Sequence, residues 1–578
     1  MNNFKILIIL PFIYLMLSAN SFAASYERKS VSYLDAVLLT DSNIKIQQEE
    51  LDFLLNEVES KLSLERFDYN PLPDTLIREF LRRAHAAEPL TMEEIDALLK
   101  ETIVPQVERI LQENLEQRAA GLVGNEVKSS WVAEKAKSLG ITSVELEKIL
   151  NSSYIYFPVL SSVKRNEQGK FFRVELIGEV MWYRLVLTGE KPELRLMTSL
   201  DKAKMDVSTG IGRSDGDQSF RGRSMSGKHY AFFAAAEVFA RNMEVAAREL
   251  PDFRLAGSVR EVGRHSLAFD IGSKEGIHLD DKFFIKQRVE DGTSFGEETV
   301  GLVQVTKVGF SGFSERYLTG LKNRGETPPK RELEATEARI VTGSGYDEGM
   351  SVIEYPRLGL DVGVGLHSYT ITFGKTDTSE RHLINKVDQE TSNGIGLKLS
   401  AHYNTASWSN VSQLYLMLEA GLGVVGVDAY DYFTNEVAAA QYQTIAGGAV
   451  KKFSFRRVSI PVKMLIGYQA VDLEGWWSVF ENRDGEQLIK VRNSAIGLIV
   501  GSGVEVLLTP AASLQLGVEY RLFSRSKTWD VIVNDDFRLP GIGPWVETSG
   551  INIGMTFVYS PPRLTFDPAN IVKTMMGI

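Results

Sequence analysis

At 578 residues, 44% hydrophobic and 24% charged, the chain is long enough for several domains, each with its own core. Cysteine is absent, which excludes disulfides, thiol catalysis and a lipid-modified cysteine behind a signal peptide. A net charge of −11 excludes the basic footprint of a nucleic-acid-binding protein.

The chain opens with Lys5, an apolar run from Ile6 to Leu17 and the small-x-small sequence Ser21-Phe22-Ala23, which together predict a secretory signal over residues 1–23. Beyond Leu17 no uninterrupted apolar stretch approaches the roughly 20 residues of a transmembrane helix. Residues 24–150 read as helical. Leu51, Leu54, Leu55, Val58 and Leu62 recur at helical spacing, Asn70-Pro71-Leu72-Pro73 breaks the chain, and a second helix is expected around Leu76 to Arg83. The capping-box pattern Thr91 to Glu94 starts a third helix, and Thr142 to Glu145 repeats it.

Residues 151–255 turn to α/β character. Tyr154 to Val163 and Phe171 to Leu187 are strand-like, and a helix from about Lys228 to Leu250 carries Phe232, Ala236, Phe239, Met243 and Ala247 on one stripe. Strands return at Gly257-Ser258-Val259, Leu267 to Ile277, Asp281 to Ile285 and Gly301 to Val305, which predicts a small SH3-like β domain over 256–345. This stretch is similar to a pattern at the end of flagellar assembly protein T, and the Asn151 to Val159 strand with the helix resembles the related domain of curli secretion channel proteins. The resemblance covers roughly 150–345 and implies a periplasmic binding platform. It departs at Asp281, where the pattern places glycine before the acidic position, and the curli channel's lipid-anchor cysteine is missing.

From about residue 350 to 560 one side of each alternating stretch is aliphatic and the other is glycine, polar or charged. In the last stretch Ile551, Ile553, Met555, Phe557 and Tyr559 alternate with Asn552, Gly554, Thr556, Val558 and Ser560. Short links at Asn404 to Asn410 and Thr509 to Ala512, long links at 374–392, 428–450 and 526–546, and two strands placed within Lys451 to about Asn493 give about eight antiparallel strands. A soluble barrel with an apolar interior has the same alternation. The signal segment, the five tryptophans Trp408, Trp476, Trp477, Trp529 and Trp545 near strand ends, and the final strand decide for a transmembrane barrel. Asn552-x-Gly554-x-x-Phe557-x-Tyr559 resembles the assembly signal of bacterial outer-membrane β-barrels, although a tail of residues 561–578 follows it. The resemblance implies outer-membrane lipid and the barrel assembly machinery as partners, with the N-terminal region in the periplasm.

The expected fold is therefore multi-domain, with helical and α/β periplasmic parts, an SH3-like domain and a C-terminal transmembrane β-barrel. Arg357, Asp361, His367, Lys398, His402, Glu419, Glu505, Glu519 and Arg521 fall on the inward side and are expected to form a polar lumen network. An eight-stranded barrel is filled by its own side chains or holds one small ligand, so it reads as an anchor rather than a pore. Gly421-x-Gly423-x-x-Gly426 matches a dinucleotide fingerprint only as text, because no helix follows it. Thr209-Gly210-Ile211-Gly212 and Gly343-Ser344-Gly345 read as flexible loops. No enzyme, cofactor or metal is expected. The leading expectation is a non-enzymatic scaffold for an unidentified periplasmic component of an envelope assembly or secretion system, with an export channel or a lumen hydrolase using His367 and His402 as alternatives.

Overall fold

The computed structural model describes residues 29–102, 154–374, 390–426, 440–477, 487–533 and 537–574, apart from 34–35, 41–43, 65, 72–73, 85–91, 189–190, 199–205, 292–293, 313–320, 322–323, 325–326, 330–331, 569 and 571–573. The signal segment, the Thr142 capping box and residues 375–389 of the long link 374–392 lie outside the described residues.

The first layer is a seven-stranded sheet built from β1 (Lys29–Tyr33), β2 (Leu38–Leu39), β3 (Phe67–Pro71), β4 (Tyr154–Gln168), β5 (Phe171–Thr188), β6 (Lys191–Leu196) and β7 (Asp206–Arg213). Helices α1 (Gln48–Leu62), α2 (Asp74–Ala84) and α3 (Met92–Thr102) alternate with the first strands. The expected purely helical region is thus corrected: β1 runs parallel to both β3 and β4, so 29–71 and 154–213 share one sheet. Five-residue strands recruited by distant partners leave little periodic signal, because their pairing is decided by contacts far away in sequence.

Helix α4 (Gly227–Glu249) lies across β5 and β7, and all five residues of its predicted stripe are buried. Its approach is set by glycine. The stretch Thr209-Gly210-Ile211-Gly212, expected as a loop, lies inside β7, and a Cβ on Gly210 would stand 1.9 Å from the Ala231 carbonyl oxygen and 2.6 Å from the Ala235 nitrogen. Both obstacles are backbone, so helix and strand would have to separate. Gly210→Ala is expected to cost about 1–3 kcal/mol, read as a lower calorimetric midpoint of the soluble part. Gly216→Ala, which meets nothing within 4 Å, should leave that midpoint within about 0.5 kcal/mol of wild type.

After the small hairpin β8 (Asp217–Phe220) and β9 (Arg223–Ser226), residues 256–354 close a six-stranded barrel. It runs β10 (Ala256–Val262), β11 (Ser266–Phe269), β14 (Thr336–Gly343), β13 (Ser294–Lys307), β12 (Lys282–Asp291) and β15 (Ser351–Glu354) around Val259, Phe269, Phe283, Ile285 and Val303. The unit extends past the expected end at 345, since β15 pairs with both β10 and β12 to complete the ring.

The C-terminal sheet contains β16 (Leu360–Phe373), β17 (Glu390–Asn404), β18 (Leu414–Val425), β19 (Ala440–Phe455), β20 (Val458–Trp477), β21 (Gln487–Thr509), β22 (Ala512–Phe523), β23 (Ser526–Val533), β24 (Phe537–Glu547) and β25 (Gly550–Tyr559). Eight strands close through β25 pairing with both β22 and β16, while the β23–β24 hairpin stands beyond that ring and pairs with β21 and β16. The fourth strand begins at Ala440, not near Lys451. Its outward positions Gln441, Gln443, Gly447 and Ala449 carry little hydrocarbon, which hid the alternation.

The direction of the apolar faces follows from exposure. Ile395, Ile466, Ile496 and Ile551, on four different strands, are 71, 69, 67 and 64% exposed, and comparable residues occur on all eight strands of the ring. Water does not tolerate a continuous apolar belt of this size, whereas hydrocarbon does.

Candidate functional site: lumen network and junction

The inward alternate positions place long polar side chains opposite one another across a narrow bore. Lys398 on β17, Glu419 on β18, Lys463 on β20 and Glu519 and Arg521 on β22 meet at its centre. Lys463 Nζ lies 2.7 Å from Glu419 Oε2 and 2.5 Å from Glu519 Oε1, Lys398 lies 3.4 Å from Glu419 and also pairs with Glu519, and Arg521 reaches Glu519 at 3.2 Å. All five residues are at most 7% exposed, so these charges are compensated by one another rather than by water.

His367 joins from β16, with Nε2 3.2 Å from Thr556 Oγ1 and Nδ1 3.8 Å from Glu519. Toward the short-turn end a second group forms around Lys452, which lies 2.9 Å from Glu505 and 3.7 Å from Asp361. His402 sits beside it, with Nε2 3.2 Å from Ser400 Oγ. Arg357 is the exception among the expected lumen residues. It precedes β16 and stacks on Tyr355 beneath the barrel, because the strand begins only at Leu360.

Lys452, Lys463, Tyr369 and Tyr442 were not singled out from sequence. The two lysines occupy inward positions of β19 and β20, whose boundary was unresolved, so correct strand parity would have found them. The tyrosine rings flank the Arg521 guanidinium at 5.0 and 5.5 Å. Space for the Tyr369 ring comes from Gly396, Gly421 and Gly423, where any Cβ would fall within 2.3–2.8 Å of it. The text match to a dinucleotide fingerprint is therefore a seat for tyrosine.

The residues of the expected assembly signal divide by face. Asn552 is buried, with its amide oxygen accepting from Arg521 Nε at 2.9 Å and its amide nitrogen donating to Ser368 O at 3.2 Å. Gly554 lies under the His367 ring, where a Cβ would meet Nδ1 at 2.1 Å; Phe557 and Tyr559 face outward, 47 and 43% exposed. The tryptophans do not form one girdle. Trp529 is fully buried at the long-loop end of the bore with Tyr369, Ile371 and Phe373, and Trp545 stacks with Arg525. Trp408 is 63% exposed at a short turn; the Trp476 and Trp477 side chains lie outside the described residues.

The bore is closed. A cavity bordered by His367, Lys398, His402, Lys463 and Glu519 measures about 20 Å³, room for about one water. Among the described residues no group of three or more His, Asp or Glu is placed to hold a metal.

The short-turn end of the barrel is fastened to the preceding domains. Asp280 has a positive φ of 70°, a conformation that favours glycine. Its carboxylate accepts from Asn404 Nδ2 at 2.9 Å, Ser412 Oγ at 2.6 Å and the Gln413 amide at 2.5 Å, which explains why an aspartate is held in a conformation suited to glycine. The chain after β25 then returns to the first domain. Arg563 pairs with Asp206 at 2.8 Å and Glu249 at 2.9 Å, the Thr209 amide donates to Thr565 O at 2.6 Å, and Thr574 Oγ1 donates to Ile211 O at 2.8 Å. The tail after Tyr559 is thus held against β7 by a single bridge, Phe566 beside Thr209, and by side-chain bonds.

No protein-family model matches the chain, and no curated protein matches it, so the resemblance of 150–345 to flagellar assembly protein T and curli channel domains stands on its motif alone. Among solved structures, Neisserial surface protein A is similar at 13% identity over 35% of this chain and 97% of its own, with a TM-score of 0.21. A major outer membrane protein of Thermus thermophilus is similar at 15% identity over 35% of this chain and 99% of its own, with a TM-score of 0.21. The attachment invasion locus protein Ail of Yersinia pestis is similar at 13% identity over 35% of this chain and 99% of its own, with a TM-score of 0.19. Scores this low add nothing to the geometry of the chain itself, a small closed barrel with an apolar outer belt and a salt-bridged interior.

Proposed function

We propose that the chain is a non-enzymatic outer-membrane protein whose barrel anchors a periplasmic platform, and that this platform binds a component of an envelope assembly or secretion system. The observation that carries this reading is the pairing of a lumen filled at its centre by charged side chains with a bonded junction. The lumen leaves about 20 Å³ beside its central charges, too little for a solute or a hydrolysable substrate, while Asp280 and the returning tail tie the barrel to the domains below it. A bore filled at its centre by its own charges, bonded to a large region below it, suits positioning better than transport. On this reading the short turns and the soluble domains lie in the periplasm and the long loops outside.

Outer-membrane fractions run on a gel before and after boiling, with protease added to intact and permeabilised cells, test it. The expected result is a fast-migrating species until boiling and cleavage of the 29–354 region only after permeabilisation. Recovery of the protein in the soluble fraction would sink the anchor. Steady single-channel conductance of the wild type in planar bilayers would favour the export-channel reading.

A further inference from the structure

Below the short-turn end of the barrel, residues of the seven-stranded domain, the six-stranded barrel and the transmembrane barrel line a partly open cavity of about 380 Å³. Its size lies in the range of small-molecule sites. All three units supply charge to it: Lys61 and Arg248 from α1 and α4, Lys282 from β12, and Arg357 from the link into β16.

The carboxylates on its wall are engaged. Glu354 is taken by Arg66 and Arg248, Glu244 by Arg248, Asp280 by the β17–β18 turn, Asp281 by the His278 amide, and Asp361 by Ser560 and Lys452. Arg248 is engaged by the same carboxylates, but three other cations are not neutralised in this way. Among the described residues Lys61 and Lys282 have no carboxylate within 4 Å, and Arg357, whose terminal nitrogens donate to Pro356 O and the Tyr355 hydroxyl, has Glu249 no nearer than 3.9 Å while its buried Nε has no hydrogen-bond partner. An adjoining cavity of about 70 Å³, which shares Lys282, Asp361 and Tyr415 with the first, holds Arg339, and its buried Nε is likewise unpartnered. Buried cationic donors left without acceptors are costly, and a bound anion removes that cost.

One part of the lining faces a different medium. Tyr403 borders the cavity and is also 43% exposed on the apolar outer wall of the barrel. The site therefore joins a cationic interior to the hydrocarbon-facing surface, at the level of the short turns.

We infer that this junction cavity binds a phosphate-bearing anion through Lys282 and Arg357, with Lys61 at its edge. The chemistry is shared by the headgroup of an anionic phospholipid and by a free phosphate, and the position of Tyr403 favours the lipid. That preference rests on the outer-membrane reading above; the phosphate site itself does not.

The test is native mass spectrometry of the full chain in detergent, with phosphatidylglycerol, phosphatidylcholine and inorganic phosphate as separate probes. Wild type is expected to retain phosphatidylglycerol about tenfold better than phosphatidylcholine. Lys282→Gln and Arg357→Gln, singly and together, should abolish the preference, and Lys527→Gln at the opposite rim should keep it. Inorganic phosphate that binds alone and displaces the lipid assigns the same residues to a soluble phosphate. Equal retention of the two lipids with no phosphate bound, or a preference unchanged in the double variant, overturns the site. The gel shift on boiling, recorded for every variant, separates a failed site from a failed barrel.

Discussion

Replacing Glu519 with alanine is expected to lower the unfolding free energy of the barrel by about 3–5 kcal/mol, the cost of leaving buried charges without their counter-ion. Lys398, Lys463 and Arg521 would then share Glu419 alone, since Glu519 is the carboxylate nearest to all three. Urea unfolding in detergent, followed by the fast-migrating band on gels, reads the effect as a lower midpoint at unchanged slope. The double variant Glu519→Ala with Lys463→Met should lose less than Glu519→Ala alone, because it removes a cation along with the anion. A strictly additive double variant would show that the two side chains do not interact in the folded barrel.

The second large effect is expected at Glu354, where the seven-stranded domain meets the six-stranded barrel. Its carboxylate is 2% exposed, pairs with Arg66 and with Arg248 at 2.6 Å, and accepts from the Leu255 amide at 3.3 Å. Burial alone would raise this carboxyl, but the Arg248 and Arg66 guanidiniums outweigh it and bring it from 4.5 down to about 2. A carboxyl depressed on folding stabilises the folded form fully above its unfolded value. That contribution, on the order of 3 kcal/mol, disappears as pH falls from about 4.5 through about 2. Glu354→Ala should remove it at neutral pH and strand two guanidiniums, at a cost of about 3–5 kcal/mol. Calorimetry of the full chain in detergent should then show the soluble transition about 10 °C lower, with a weaker dependence on acid than wild type. A wild-type slope preserved in Glu354→Ala would place the acid sensitivity elsewhere.

Both predictions concern charges buried between elements distant in sequence, and that is where sequence reading and tertiary structure part. The alternation in residues 350–560 determined a small barrel of about eight strands, because side chains on a strand have a period of two whatever the strand pairs with. The same parity put Asp361, His367, Lys398, His402, Glu419, Glu505, Glu519 and Arg521 on one side of the wall. The stripe of α4 was equally legible, since its period is a property of the helix alone.

Parity could not say which inward charges meet. Lys463 and Glu419 are 44 residues apart and Lys398 and Glu519 are 121 apart, so their contact depends on ring closure and register. The short strands β1 and β3 were missed for a related reason: they are strands because a sheet edge accepts them. Nothing in the local sequence ties Asp280 to the β17–β18 turn, which lies 124–133 residues away. The tail after Tyr559 looked surplus in sequence, and its single bridge to β7, Phe566 beside Thr209, exists only because the fold brings the two together. Local periodicity is written into the order of residues, whereas the partners of buried charges are fixed by how separate elements pack. The junction and its cavity therefore exist only in the tertiary structure.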